Sequence, residues 1–218
     1  MKVVRIWFKK MGTARYISHL DLNRCVSRAI HKAKLPLWYT QGFNPHAFIT
    51  FALPLSLSFG GERESMDIKL EDDIPAQELI DRLNSGLPDD IKIFDVTEPV
   101  MKPGKIAFAA FHITVDTEDR SAKEVASQIK DLLNQDEIIV PKHTKSGMRD
   151  INIKPYFSKL ELTINQNEII ADIVLPAGSM ENINPMLFHE AIKKYLGLNL
   201  YTNIVRTNIF DENLKIFE

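Results

Sequence analysis

A single cysteine, Cys25, in 218 residues leaves no partner for an intrachain disulfide and too few thiolates to hold an iron–sulfur cluster. The sequence also has no P-loop, no Rossmann glycine pattern and no Cys/His zinc spacing, so neither a cofactor nor a metal is expected. No apolar run approaches the ~20 residues of a membrane-spanning helix. The opening Met1-Lys2-Val3-Val4-Arg5-Ile6-Trp7 is too short and too charged for a secretory hydrophobic segment. A cytoplasmic location is the expectation.

What is present is an ordinary globular composition, 44% hydrophobic with a net charge of −2, which is enough to bury a core. The near-neutral charge hides an asymmetry. Residues 1–50 carry nine Lys/Arg against one acidic residue, and residues 62–98 carry twelve Asp/Glu against four basic ones. A polyanion on the basic side fits this pattern, and so does a basic partner docking on the acidic side.

Alternation and helical spacing predict a strand over Val3–Phe8, a turn at Lys9–Gly12, a helix from Ser18 to Pro36 and a strand over 47–52. A loop over Pro54–Gly61 precedes a strand over Ser65–Leu70, a helix over Pro75–Leu83 and a strand over Ile91–Val96. After a linker the order begins again, with strands over Ile106–Val115 and Glu137–Val140 separated by a helix over Ser121–Leu133. A short strand with Ile151 and Ile153, a hairpin across Asn165-Gln166-Asn167, a helix over Pro185–Leu196 and a strand over Tyr201–Phe210 complete it. The expected fold class is therefore α+β, two ferredoxin-like β-α-β-β-α-β units in tandem over 1–98 and 106–218, joined by a linker at 99–105. Helices would cover one sheet face and leave the other available.

The densest chemistry lies between Gly12 and Leu55. Ser18 and Asp21 form a capping-box-like pair. Leu22, Val26, Ala29, Ile30 and Ala33 give an apolar stripe, while Arg24, Arg28 and Lys32 recur every four residues on another face. Trp38, Tyr39, Phe43 and Phe48 surround the turn Gln41-Gly42-Phe43-Asn44-Pro45-His46. Cations interleaved with aromatic rings are what single-stranded nucleic acid requires, charge for phosphates and ring faces for bases. The nucleic-acid-binding set read from the sequence is Arg15, Arg24, Arg28, Lys32, Phe43 and Asn44. A second basic stretch, rich in Ser, Thr and Gly, adds Lys142, Lys145, Arg149 and Lys154. A cationic helix face is also an ordinary solvated surface, and both readings stand at this point. His19, Asp21 and His46 are the candidate catalytic groups, because imidazole titrates near neutrality and a carboxylate can orient it. The plainer alternative is that these groups hold the loop against the helix start.

The runs Ser18-His19-Leu20-Asp21-Leu22, Gln41-Gly42-Phe43-Asn44-Pro45-His46 and Phe51-Ala52-Leu53-Pro54-Leu55 are joined by Lys145-Ser146-Gly147 with Arg149 and by Ile153-Lys154-Pro155-Tyr156. Together they resemble the radical-SAM-associated family of uncharacterised bacterial proteins, found alone or fused behind B12-binding radical SAM proteins. The resemblance covers nearly the whole chain. It implies a radical SAM protein as partner, and the frequent ribosomal-protein and ribonuclease gene neighbours of the family imply an RNA or ribosome-related setting. This chain has Ala47 where the family usually carries a second proline, and Phe48 where a basic residue is common.

Three functions follow. The first is a non-catalytic accessory module that binds RNA, or a substrate containing RNA, for a radical SAM enzyme. The second is a metal-independent endoribonuclease, by analogy with the CRISPR repeat endoribonucleases, with His19 or His46 moving the proton and Arg15 or Arg24 stabilising the developing charge. The third is a protein–protein adaptor that binds no nucleic acid.

Overall fold

The structure is a computed structural model that describes residues 1–144 and 147–218. It contains α-helices and β-strands in an α+β arrangement, with five α-helices among the described residues. The chain divides into two compact units, Met1–Ile106 with Arg206–Glu218, and Ala107–Val205. The reading that placed the whole C-terminal stretch with the second half is corrected here, because the side chains of Arg206 and Phe217 are buried among partners from the first unit.

The first unit runs β1 (Lys2–Lys10), α1 (His19–Lys32), β2 (Ile49–Phe51), β3 (Gly60–Leu70), α2 (Ala76–Asn84) and β4 (Ile91–Thr97). β1 pairs antiparallel with β3 and β4, and β2 pairs antiparallel with β3, so the strand order is β4-β1-β3-β2. Alternation on β1 sends Val4, Ile6 and Phe8 to one face. There they meet Met66, Ile68 and Leu70 of β3, Leu22, Val26 and Ile30 of α1, and Leu79 and Leu83 of α2. Each such side chain contributes roughly 1.5–3 kcal/mol when taken fully out of water. Two sequence expectations shift. Lys9 and Lys10 continue β1 rather than turning, and Gly60-Gly61 opens β3 rather than closing a loop, since Lys10 lies opposite Gly61. A Cβ at Gly61 would lie 2.5 Å from the Glu64 carboxylate, so only glycine leaves that side chain its place.

The opposite face of this unit is covered, contrary to expectation. Arg5 and Trp7 are 0% and 1% exposed. Arg5 donates to both Asp67 oxygens at 2.7 and 2.8 Å and to the Met101 carbonyl at 2.8 Å. Its guanidinium lies 4.2 Å from the centre of the Phe217 ring, and Trp7 meets the same ring edge-on at 6.4 Å. The 99–105 linker is ordered by the same packing, because the Met101 amide donates to the Glu218 carbonyl at 2.6 Å.

The second unit begins with β5 (Phe108–Asp116), α3 (Ala122–Leu133), β6 (Ile139–Thr144), β7 (Gly147–Asn152) and α4 (Lys154–Phe157). It continues through β8 (Thr163–Asn165), β9 (Glu168–Pro176) and α5 (Met186–Ala191) into β10 (Thr202–Phe210), whose residues up to Val205 belong to this unit. The strand order is β10-β5-β9-β8, with Ala109, Phe111, Ile113 and Val115 of β5 buried on one face. β6 and β7 form a separate antiparallel hairpin. Ile153, expected in a strand, is instead the buried residue that leads into α4. The helix expected over 185–196 passes at Ile192 into a π turn and ends at Gly197, whose φ of 68° suits a residue without a Cβ.

Candidate nucleic-acid interface

α1 begins where its sequence says it should. The Ser18 hydroxyl accepts the Asp21 amide at 3.1 Å and donates to the Asp21 carboxylate at 2.7 Å. That hydrogen bond, helped by Arg24 at 3.2 Å, holds the Asp21 carboxyl below its ordinary range. His19, in the first turn, is half-buried with its ring edge-on to Phe51 at 5.0 Å. Burial lowers its pKa from the usual 6.5, and the nearby Lys10 ammonium lowers it further. His46 is exposed and sits elsewhere in the hydrogen-bond pattern. Its Nδ1 is 3.1 Å from the Thr40 hydroxyl and 3.2 Å from the Asn44 carbonyl. His19, Asp21 and His46 thus have three separate sets of partners. Among the described residues no group of three or more His, Cys, Asp or Glu is placed to hold a metal ion.

The segment between Pro36 and Phe48 is a braced hairpin rather than a free loop. The Trp38 amide donates to the Lys69 carbonyl at 2.9 Å, Phe48 to Trp38 at 3.2 Å and Thr40 to His46 at 2.9 Å. The Lys69 ammonium lies 4.1 Å from the Trp38 ring centre, and Trp38 meets Phe48 edge-on at 6.4 Å. Gly42 permits the sharp tip with φ 149°. At that tip Phe43 is 106% exposed. Tyr39, in the hairpin's first arm, reaches the last turn of α1, its hydroxyl 3.4 Å from His31 Nε2.

The cations of α1 are differently engaged. Arg24 pairs with Asp21 on the surface, and Lys32 donates to the Ser85 carbonyl at 3.2 Å. Arg28 is exposed, with no ion pair among the described residues. Arg15 lies in the turn before α1, and its carbonyl receives the Lys10 ammonium and the Ser58 amide. Lys10 is nearly buried, and burial lowers its pKa despite the nearby Glu64 charge.

Residues 3–185 match the family described as "Uncharacterized protein conserved in bacteria (DUF2344)". The chain belongs to this family. No match is found among curated proteins. Among solved structures, a chain from the crystal structure of a Cbf5-Nop10-Gar1 complex is similar at 12% identity and a TM-score of 0.49, over 96% of this chain and 50% of that one. This chain therefore spans about half the length of that relative.

In this family member the second basic stretch lies on the β6-β7 hairpin and at α4. Lys142 and Arg149 stand opposite each other in the ladder, and Lys142 Nζ donates to the Asn182 carbonyl at 2.6 Å. Lys154 is turned to a structural task, its ammonium donating to the Leu133 carbonyl at the end of α3. Lys145, with Ser146, lies outside the described residues. Sequence reading missed the Thr40 and His31 contacts that brace the first hairpin. The one signal for them is that each lies a single residue from a named aromatic or cation. No described helix is long and apolar enough to cross a membrane.

Proposed function

We propose that this protein is a non-catalytic, cytoplasmic RNA-binding module, each of its units a ferredoxin-like fold, that serves a radical SAM enzyme. The fold part of the reading is supported by the strand orders β4-β1-β3-β2 and β10-β5-β9-β8. Both place the first and third strands of a β-α-β-β-α-β run side by side, once the β6-β7 hairpin and α4 are set apart as an insertion.

The RNA part rests on Phe43. A large apolar ring held wholly in water has no packing function in its own unit. The hairpin that carries it is tied to β3 through the Trp38 amide and to α1 through the Tyr39 hydroxyl. An exposed ring on a hairpin tied to α1, the helix that carries Arg24 and Arg28, suits an unpaired base stacked on Phe43, with flanking phosphates at Arg28 and Arg24. The separate partners of His19, Asp21 and His46 favour binding over cleavage.

The test is fluorescence anisotropy of a labelled single-stranded RNA with wild-type protein, Phe43→Ala and the Arg24→Glu/Arg28→Glu pair, each at 50 and 200 mM salt. The RNA is then run on a denaturing gel. Salt-sensitive binding that both variants lose, with the RNA intact, is the expected result. Undiminished binding by both variants, or no binding at low salt, overturns the RNA reading, and shortened RNA overturns its non-catalytic part. Co-purification with the radical SAM protein encoded nearest the gene tests the partner.

A further inference from the structure

Lys142 and Arg149 face each other directly across the β6-β7 hairpin. Alternate rungs of a ladder share a face, so the Val140–Ile151 rung lies on the same side as this pair, and so does the Thr144–Gly147 rung at the other end. That face starts in the core, where Val140 is 0% exposed, and leaves it at the two cations. The register and the surface agree, because Lys142, Thr144, Arg149 and Ile151 all border one cavity of 390 Å³ in the second unit.

The positive charge there is unbalanced. Like charges directly opposite each other weaken a strand pair, and among the described residues neither Lys142 nor Arg149 has a carboxylate within ion-pair distance. Asp150 also borders the cavity, but it stands opposite Pro141 on the neighbouring rung, whose side chains leave from the other side of the hairpin. The Thr144 hydroxyl is committed to the Gly147 carbonyl at 2.8 Å. Lys142 gives one N–H to the Asn182 carbonyl at 2.6 Å, which anchors the ammonium and leaves two of its hydrogens to donate. Arg149 is exposed, and among the described residues its guanidinium has no hydrogen-bond partner. Directly opposed residues of a ladder hold their Cβ atoms about 5 Å apart. An anchored ammonium and an open guanidinium fork at that spacing suit one phosphate group, the fork taking two of its oxygens and the ammonium another.

We propose that Lys142 and Arg149 hold a backbone phosphate of single-stranded RNA, which gives the second unit a nucleic-acid contact of its own. The pair is open to solvent on the Arg149 side, as a phosphate within a longer chain requires. The class of ligand rests on the RNA reading above, whereas the position comes from the strand register, the cavity and the missing counter-charge.

The experiment is fluorescence anisotropy of the full chain with a long, unstructured, labelled single-stranded RNA at several salt concentrations. The variants are Arg149→Ala, Arg149→Glu and Arg149→Lys, with Lys123→Glu at an exposed position of α3 outside the cavity lining as the control for net charge. Thermal melts show that each still folds. Arg149→Ala is expected to flatten the dependence of log affinity on log salt by about 0.7, the single-strand value for one phosphate contact. Arg149→Glu should weaken binding at low salt further than Arg149→Ala, Arg149→Lys should keep the wild-type slope, and Lys123→Glu should keep the wild-type affinity. A folded Arg149→Glu with wild-type affinity and slope, or a Lys123→Glu that loses as much as Arg149→Glu, overturns the site. RNA binding that Phe43→Ala and the Arg24→Glu/Arg28→Glu pair lose but Arg149→Glu keeps removes this site and leaves the first surface standing. The opposite pattern keeps this site and removes the first surface, and no binding by the wild type removes both.

Discussion

Arg206 and Glu64, 142 residues apart in the chain, are joined inside the first unit by a two-armed ion pair. Arg206 Nε donates to Glu64 Oε1 at 2.9 Å and Nη2 donates to Oε2, while Nη2 also reaches the Leu53 carbonyl at 2.7 Å. The two side chains are 5% and 6% exposed. Removing one partner strands the other charge away from water, which costs roughly 3–5 kcal/mol, whereas replacing both by apolar residues of similar size costs far less. Arg206→Met is therefore expected to lower unfolding free energy by about that amount, and Arg206→Met/Glu64→Leu to recover much of it. Urea melts of the two single variants and the double variant measure this. A single-variant loss below about 1 kcal/mol would show that the pair is not the buried clamp described.

Gly12 has φ 48°, and a Cβ there would lie 2.3 Å from Asp90 Oδ1. The same carboxylate accepts the Thr13 amide at 2.7 Å, the Thr13 hydroxyl at 2.6 Å and the Ala14 amide at 3.3 Å, fixing the turn that leads into α1. Gly12→Ala meets both an unfavourable backbone angle and a collision, so a loss of more than about 1 kcal/mol is expected in the same urea assay. A neutral substitution would mean that the carboxylate is free to move aside.

His19 carries a pH signature. Its folded pKa lies below the ordinary 6.5 because burial against Phe51 disfavours the imidazolium, and the Lys10 charge adds to this. The unfolded chain therefore takes up a proton first as pH falls. The stability tied to this residue is full above about pH 6.5 and declines through the lower folded value. Between pH 7.5 and 5 the wild type should lose more of its urea midpoint than His19→Gln does. Equal losses would show that the imidazole is not desolvated.

Much of the first unit was legible because its signals are local. Ser18 with Asp21 marked the start of α1, and Leu22, Val26, Ala29 and Ile30 marked its buried stripe. The turn residues Gly42 and Pro45 marked the hairpin tip. The buried charges were not legible. Arg5, Asp67 and Arg206 read as ordinary strand polarity, Lys10 as part of a turn and Glu64 as lying outside any strand, and the burial of Arg206 and Glu64 joins partners 142 residues apart. Lys10 takes the Arg15 and Ile17 carbonyls at 3.3 Å, five and seven residues on, but those backbone acceptors have no side-chain signature in the sequence. For the same reason the covered face beneath Phe217 could not be foreseen from β1 alone. The candidate site fared likewise. Its residue types were visible, but Lys32 and Lys154 turned out to hold carbonyls at Ser85 and Leu133.

The contrast between Phe43 and Phe217 separates binding from folding. Phe217 is 0% exposed and lies against Trp7 and the Arg5 guanidinium, so Phe217→Ala is expected to cost roughly 3–5 kcal/mol of stability. Phe43 contributes no buried area, so Phe43→Ala should leave the urea midpoint unchanged while removing roughly 1–3 kcal/mol of single-stranded RNA affinity per stacked base. Arg28→Glu should act differently again. On the proposed RNA reading it reverses a charge that meets phosphate, so it should weaken binding to all sequences alike and flatten the dependence of affinity on salt by about one unit of slope or more. Anisotropy titrations at several salt concentrations, read beside urea melts of the same proteins, separate the three effects. Were Phe43→Ala to melt early, or Arg28→Glu to keep the wild-type salt slope, the ring would belong to the core or the helix face to solvent, and the RNA surface would have to lie elsewhere.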